Sequence, residues 1–240
     1  MCAMDGIRFD DRLDAGRRLA RSYTGPTEDV VVFGIARGGV PVGYPLAVHL
    51  NAVLDVITAR KLPIPWSPEM GFGAIVPDGT RVLNDEVVRS TGLGTDEIEK
   101  IAAEVLEEVH RRERVYRGGR EQAPMQDMNV VLADDGLATG YTMIASIEMA
   151  RKQGARSIHV AVPVGPTDTA DRVRRMVDRL QVLHTVRTYS FAVASFYRDF
   201  HDMKDSEVLE TLEKAREARG TLSVDSTEAD SLRRGHPSPD

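Results

Sequence analysis

The chain reads as an α/β protein, a twisted parallel sheet flanked by helices, on the strength of three observations. Short continuous apolar runs at Val30 to Ile35 and Val130 to Ala133 have the length of strands buried on both faces, and Ser157 to Val164 reads as a further strand. Each ends in a loop of small residues or prolines that opens into helical apolar spacing, the alternation expected of parallel strands joined by crossover helices. Of 240 residues, 42% are hydrophobic and 28% charged, the balance of a globular chain whose core needs no staples.

In chain order, Asp10 and Asp11 can cap a helix with Leu13, Leu19, Ala20 and Tyr23 on one face, stopped by Gly25-Pro26 and packed on the sheet. Val30 to Ile35 then runs into the glycine-rich loop GIARGGVPVG. The helix near Val42 to Leu50 holds Pro45, so a late start or a bend is expected. Val53 to Ala59 reads as the next strand, with Arg60 and Lys61 at its carboxyl end. The stretch PIPWSPEMG reads as irregular, and Phe72 to Val76 with Arg81 to Asn84 reads as a hairpin turning at Pro77-Asp78-Gly79.

Gly92 to Gly94 break the chain before a long helix with Thr95 as N-cap and Ile98, Ile101, Val105 and Val109 on one face. That helix ends in the basic, glycine-containing segment RRERVYRGGR, which is either a solvated helix end or a lid carrying Tyr116, Arg117 and Arg120 onto an anion. After the strand at Val130 come a helix with Met143, Ile144, Ile147 and Ala150 inward, the strand from Ser157, and a helix capped by Thr167 with Ala170, Val173, Val177 and Leu180. A strand follows at Gln181 to Val186. The aromatic stretch Tyr189, Phe191, Phe196, Tyr197 and Phe200 either closes the core or stacks on a planar ligand, the core being favoured. Asp205 or Ser206 caps a last helix with Val208, Leu209 and Leu212. The expected organisation is one domain over 1–218 and a disordered polar tail over 219–240.

Several classes are excluded or disfavoured. A net charge of −6 argues against a general nucleic-acid binder, and no apolar run reaches the length of a membrane span. Without a signal-peptide pattern, a cytoplasmic location is expected. The single cysteine, Cys2, rules out an internal disulfide framework, and the six histidines lack metal-ligand spacing. There is neither a Gly-Lys-Ser/Thr phosphate loop nor a Gly-x-Gly-x-x-Gly, which removes the main support for ATPase and dinucleotide readings.

The chemistry concentrates in VVLADDGLATGYT, Val130 to Thr142. An apolar strand delivers its loop to the sheet edge where open α/β sheets bind ligands. Gly136 and Gly140 allow N–H groups to converge on a phosphate at the following helix, with Thr139 and Thr142 adding hydroxyls. Asp134 and Asp135 would repel a phosphate. They make sense if they accept hydrogen bonds from sugar hydroxyls or act through a cation, so the pattern implies a ribose phosphate.

These residues resemble the fingerprint of the type I phosphoribosyltransferases, an apolar strand, two acids and a small-residue loop ending in Thr-Gly-x-Thr. The likeness is closest to the phosphoribosyltransferase-like proteins of bacteria and archaea and covers roughly Ile7 to Glu210. It implies that phosphoribosyl pyrophosphate (PRPP) is bound by Asp134, Asp135, Gly136, Leu137, Ala138, Thr139, Gly140 and Thr142, the acids taking the ribose hydroxyls and the loop the 5′-phosphate. It implies a pyrophosphate loop at Ala36, Arg37, Gly38 and Gly39, supplemented by Arg60 and Lys61. It makes the insertion at about 62–126, a hairpin and a helix, the carrier of a flexible loop, with Arg60, Lys61, Tyr116 and Arg117 as catalytic groups. Mg²⁺ is the implied cofactor, held through the diphosphate and ribose hydroxyls and only indirectly by Asp134 and Asp135. The implied reaction transfers ribose 5-phosphate to a small nitrogenous acceptor with release of pyrophosphate, in a homo-oligomer. Relatives that use 6-oxopurines carry an acid where this chain has Ala138, so a different nucleobase is expected. Two rivals are a PRPP-binding regulator without turnover and an enzyme of PRPP synthesis, which would need an ATP site not found in the sequence.

Overall fold

A computed structural model describes residues 8–188 and 190–233. Its centre is a five-stranded, all-parallel sheet of β1 (Val30–Ile35), β2 (Val53–Ile57), β6 (Asn129–Ala133), β7 (Ser157–Pro166) and β8 (Arg179–Val186), in the order β2-β1-β6-β7-β8. In register, Val32 of β1 lies between Leu54 of β2 and Val131 of β6. Because side chains alternate along a strand, Val31, Phe33, Val130 and Leu132 face α5 (Tyr141–Lys152), whereas Val30, Val32, Val131 and Ala133 face α2 (Gly39–His49). Both faces are dry, as the continuous apolar runs required.

The first helix, α1 (Arg12–Arg21), is capped by Asp11, whose side chain accepts from the Asp14 N–H, and packs mainly on α2. The late start expected of α2 does not occur. It begins at Gly39 and contains Pro45, whose missing N–H would have paired with the Pro41 carbonyl. An interior proline costs about 3 kcal/mol. Burial of Val40, Val42 and Leu46, worth about 1.5–3 kcal/mol each, outweighs that cost.

The insertion departs furthest from expectation. The PIPWSPEMG stretch is a β-hairpin, β3 (Arg60–Ile64) paired antiparallel with β4 (Ser67–Ile75), with register shifts around Pro63. Pro63 is tolerated because β3 is an edge strand of its small three-stranded sheet, Pro65 lies in the turn, and Pro68 lies in the outer part of β4 that pairs with β3 alone. The hairpin of β4 with β5 (Arg81–Leu83) forms as anticipated. A short helix not anticipated, α3 (Asp85–Thr91), is capped by Asn84 and ends at left-handed Gly92. Gly94, not Thr95, caps α4 (Thr95–Arg117), which lays Ile98, Ala102 and Val109 on this small sheet.

After α5, the helix α6 (Thr167–Arg174) is shorter than expected, so Leu180 belongs to β8. The last helix, α7 (Asp205–Arg233), carries its backbone past Gly220 rather than giving way to the disordered tail expected from 219. Glu, Lys, Ala and Arg after Leu212 are strong helix formers, and a Glu210–Lys214 pair one turn apart supports them. Residues 234–240, the rest of that tail, lie outside the described residues. Among the described residues no helix is long and apolar enough to cross a membrane.

Candidate active site

The loops after β1 and β6 meet at the carboxyl edge of the sheet. Gly38 lies so close to Asp135 that a Cβ on it would sit 1.9 Å from Oδ2, and one on Gly39 would sit 2.3 Å from the Ala133 carbonyl oxygen. Only glycine permits this approach, so the glycine-rich loop is part of the same site as the acid pair. The Ala36–Arg37 peptide in this loop is cis.

The two acids differ in their surroundings. Asp135 Oδ2 is 2.8 Å from Arg12 Nε, and Arg12 lies 3.9 Å above the Phe200 ring while donating to the His201 carbonyl oxygen. Tyr197 donates its hydroxyl to the Asp135 carbonyl oxygen at 2.7 Å. Asp134 forms no ion pair among the described residues; its Oδ1 accepts the Asp135 N–H at 2.8 Å. Burial, then the Asp135 charge, push the Asp134 carboxyl well above the usual range. Burial also raises Asp135, and Arg12 opposes it. The site therefore holds a carboxylate pair under electrostatic stress.

Beyond the acids, Gly140 has φ 80° and caps α5 without a side-chain hydrogen bond, leaving the first-turn N–H groups of α5 without a capping side chain. Thr169 donates its hydroxyl to the Ala138 carbonyl oxygen, and Arg172 donates to that of Thr139. A planar trans peptide points its N–H opposite its C=O, so the N–H groups of Thr139 and Gly140 face away from α6, on the side of the open loop. Ala138 and Thr139 are exposed and Thr142 half-buried. Leu137, expected in the ligand set, has its side chain buried, and its N–H donates to the Val164 carbonyl oxygen at 2.8 Å. It anchors the loop from within.

The expected cationic groups divide. β2 ends at Ile57, and Arg60 opens β3, where its guanidinium reaches Glu108 at 3.1 Å. Arg111 and Arg112 bind the same carboxylate at 2.6 and 2.9 Å and hold the Glu108 carboxyl down at about 2. Burial, then Arg112, lower the Arg60 guanidinium from its ordinary value, and Arg37 is close enough to add to the effect. One carboxylate thus faces an excess of guanidinium groups beside the β1 loop. Lys61 is not among them, because adjacent strand residues face opposite sides and its ammonium bonds the Glu69 carbonyl oxygen.

Tyr116 and Arg117, expected as catalytic groups, are placed in packing contacts away from the acid pair. Tyr116 is fully buried and donates its hydroxyl to Asp205 at 2.6 Å. Arg117 pairs with Asp55 at 2.6 Å and Glu113 at 2.7 Å and donates to the Val56 carbonyl oxygen. Together they tie α4 to β2 and α7. The aromatic stretch closes a small core, with Phe196 and Tyr197 against Phe9 and Val164, while Tyr189 lies outside the described residues. Arg12, Tyr197, Arg112, Thr169 and Arg172 were missed in the sequence because each acts from a distant segment; helical spacing from Glu108 to Arg112 was the one available signal.

Comparison with known proteins agrees with this geometry. A family model described as "Phosphoribosyl transferase domain" matches residues 10–200. A protein of Mycobacterium tuberculosis H37Rv named "Putative phosphoribosyl transferase Rv0571c" is 43% identical over 208 residues, 86% of this chain and 47% of its own length. The chain thus spans about half the length of the curated relatives it matches most fully. A ribose-phosphate pyrophosphokinase of Thermococcus kodakarensis is 34% identical over 115 residues, covering 44% of this chain and 41% of that protein. Among solved structures, TT1426 from Thermus thermophilus superposes with a TM-score of 0.68 at 33% identity, covering 86% of this chain and 98% of that one. With the match over residues 10–200, the chain belongs to the phosphoribosyl transferase domain family and has the type I fold.

Proposed function

We propose that this protein transfers ribose 5-phosphate from PRPP to a ring nitrogen of a nucleobase other than a 6-oxopurine, with release of pyrophosphate. The observation that carries the reading is the Asp134–Asp135 pair set between an outward-facing N–H loop and a cluster of guanidinium groups. That order, anion donors, carboxylates, then cations, matches a 5-phosphate, a ribose and a diphosphate in sequence along one molecule.

In the reaction the bond from C1′ to the diphosphate oxygen breaks and a bond from C1′ to the acceptor nitrogen forms, the nitrogen losing a proton. Charge builds on the leaving oxygen, which Arg60 and Arg112, held by Glu108, and the neighbouring Arg37 stabilise; charges already held in place need little reorganisation at that moment. Asp134 and Asp135 hold the ribose hydroxyls and disfavour negative charge near the sugar, which supports positive charge developing at C1′. The α5 N-terminus, with Thr139 and Thr142, holds the 5-phosphate. Arg12 and Tyr197 position Asp135.

Asp134 fits a divalent cation or sugar hydroxyls as a partner, since its carboxylate is stressed and unpaired with any cation among the described residues. Mg²⁺ bound with the diphosphate would neutralise the leaving group, with Asp134 and Asp135 contributing through the ribose hydroxyls. The test is pyrophosphate release from PRPP and Mg²⁺ across a panel of bases. Turnover with one base, lost in Asp134→Asn with Asp135→Asn, is expected. PRPP binding without turnover on any base would favour a regulator, and AMP formed from ATP and ribose 5-phosphate would favour PRPP synthesis.

A further inference from the structure

A cleft of about 740 Å³ lies at the amino-terminal end of edge strand β2, between the end of α4 and α7, on the opposite edge of the sheet from the acid pair. Such a volume suits an organic ligand rather than a lone ion. Its lining combines an apolar floor of Leu54 and Ala215, which belong to one hydrophobic cluster, and Pro124 with the basic Arg120, Arg216 and Arg219. Gly118 and Gly119, at φ 56° and 84°, end α4 and turn the chain so that Arg120 reaches this rim. Arg216 and Arg219 are three residues apart on α7 and share a face.

The charges that line the cleft do not cancel. Asp55 is taken by Arg117 and by the Ala123 N–H. Glu121 is the one further acid of the lining, and Arg120 and Arg219 form no ion pair among the described residues. Arg216 pairs with Glu213 at 2.5 Å, an exposed contact worth about 0–1 kcal/mol that a phosphate can displace. An apolar floor beneath unpaired guanidinium groups suits a flat ring joined to a phosphate, since guanidinium forks bind phosphate oxygens in pairs.

We infer that this cleft binds a nucleoside phosphate, its base against Leu54, Ala215 and Pro124 and its phosphates on Arg120, Arg216 and Arg219. The site is separate from the phosphoribosyl site and shares no residue with it. Calorimetry on the full chain with ADP, adenosine and inorganic phosphate tests it. ADP should bind, Arg120→Ala with Arg219→Ala should weaken it at least about tenfold, and Asp134→Asn with Asp135→Asn should leave it within about twofold. Charge reversal by Arg219→Glu is a second variant, and a single cooperative thermal transition confirms that each variant is folded. ADP binding lost in the aspartate variant but kept in the arginine variants would place the ligand in the phosphoribosyl site and overturn the inference. Inorganic phosphate binding as tightly as ADP would show that the apolar floor contributes nothing, and no binding of ADP would equally overturn it.

Discussion

Arg12 and Asp135, 123 residues apart in sequence, meet at 2.8 Å, so the first helix of the chain braces the second acid of the pair after β6. Both side chains are nearly buried, at 11% and 16% exposure, and breaking such a pair strands a charge. Arg12→Gln is expected to destabilise the fold by about 2–4 kcal/mol and to raise KM for PRPP, read by thermal denaturation and steady-state kinetics. A stable variant with unchanged KM would show that Asp135 needs no brace.

Asp134→Asn should separate stability from function. The folded-state pKa of Asp134 lies above its ordinary 3.8, so its contribution to stability is complete below that value and is lost as pH rises through the raised one. At neutral pH the amide removes this penalty, and the melting temperature of the empty protein should rise by about 2–4 °C for each kcal/mol relieved. Stability should also fall less steeply above about pH 4. PRPP affinity should fall at the same time. A melting temperature lowered at pH 7 would contradict the stressed-carboxylate account.

Arg60 and Lys61 are neighbours in sequence with opposite expected outcomes. Arg60→Ala and Arg112→Ala should each lower kcat/KM by about tenfold to a thousandfold through lost leaving-group stabilisation. Lys61→Ala should stay close to wild type, because its ammonium is turned to the Glu69 carbonyl. Equal losses at both positions would mean that the hairpin reorganises on binding.

Tyr116 is expected to behave as an anchor. Tyr116→Phe removes the bond to Asp205 and should cost about 1–2 kcal/mol with little change in kcat. Amide exchange over residues 113–117 should be slow with and without PRPP. Exchange that becomes slow only with ligand would restore the lid.

The acceptor is tested by a panel at saturating PRPP and Mg²⁺. Ala138 is exposed at the loop where relatives using 6-oxopurines have an acid, and a methyl group cannot accept or hold the purine proton. Hypoxanthine and guanine should be poor acceptors. Turnover of either above that of adenine and the pyrimidines would refute the Ala138 argument.

The features legible in the chain alone are local ones. Val30 to Ile35 and Val130 to Ala133 stand out as buried strands because continuous apolar runs have few other uses, and DDGLATGYT stands out because strand, acids, loop and helix start are contiguous. The β4–β5 turn at Pro77-Asp78-Gly79 was readable for the same reason. Which charged side chains lie near one another was decided by packing. Helix α4 runs beside β2, and its direction puts Arg112 near Arg60 while committing Tyr116 and Arg117 to Asp205 and Asp55. The edge position of β3 let a proline-rich stretch become a strand, and burial let α2 carry Pro45. Whether a basic or aromatic side chain is ligand, brace or core depends on what lies across from it, and for Arg12 that partner is brought in by packing from 123 residues away.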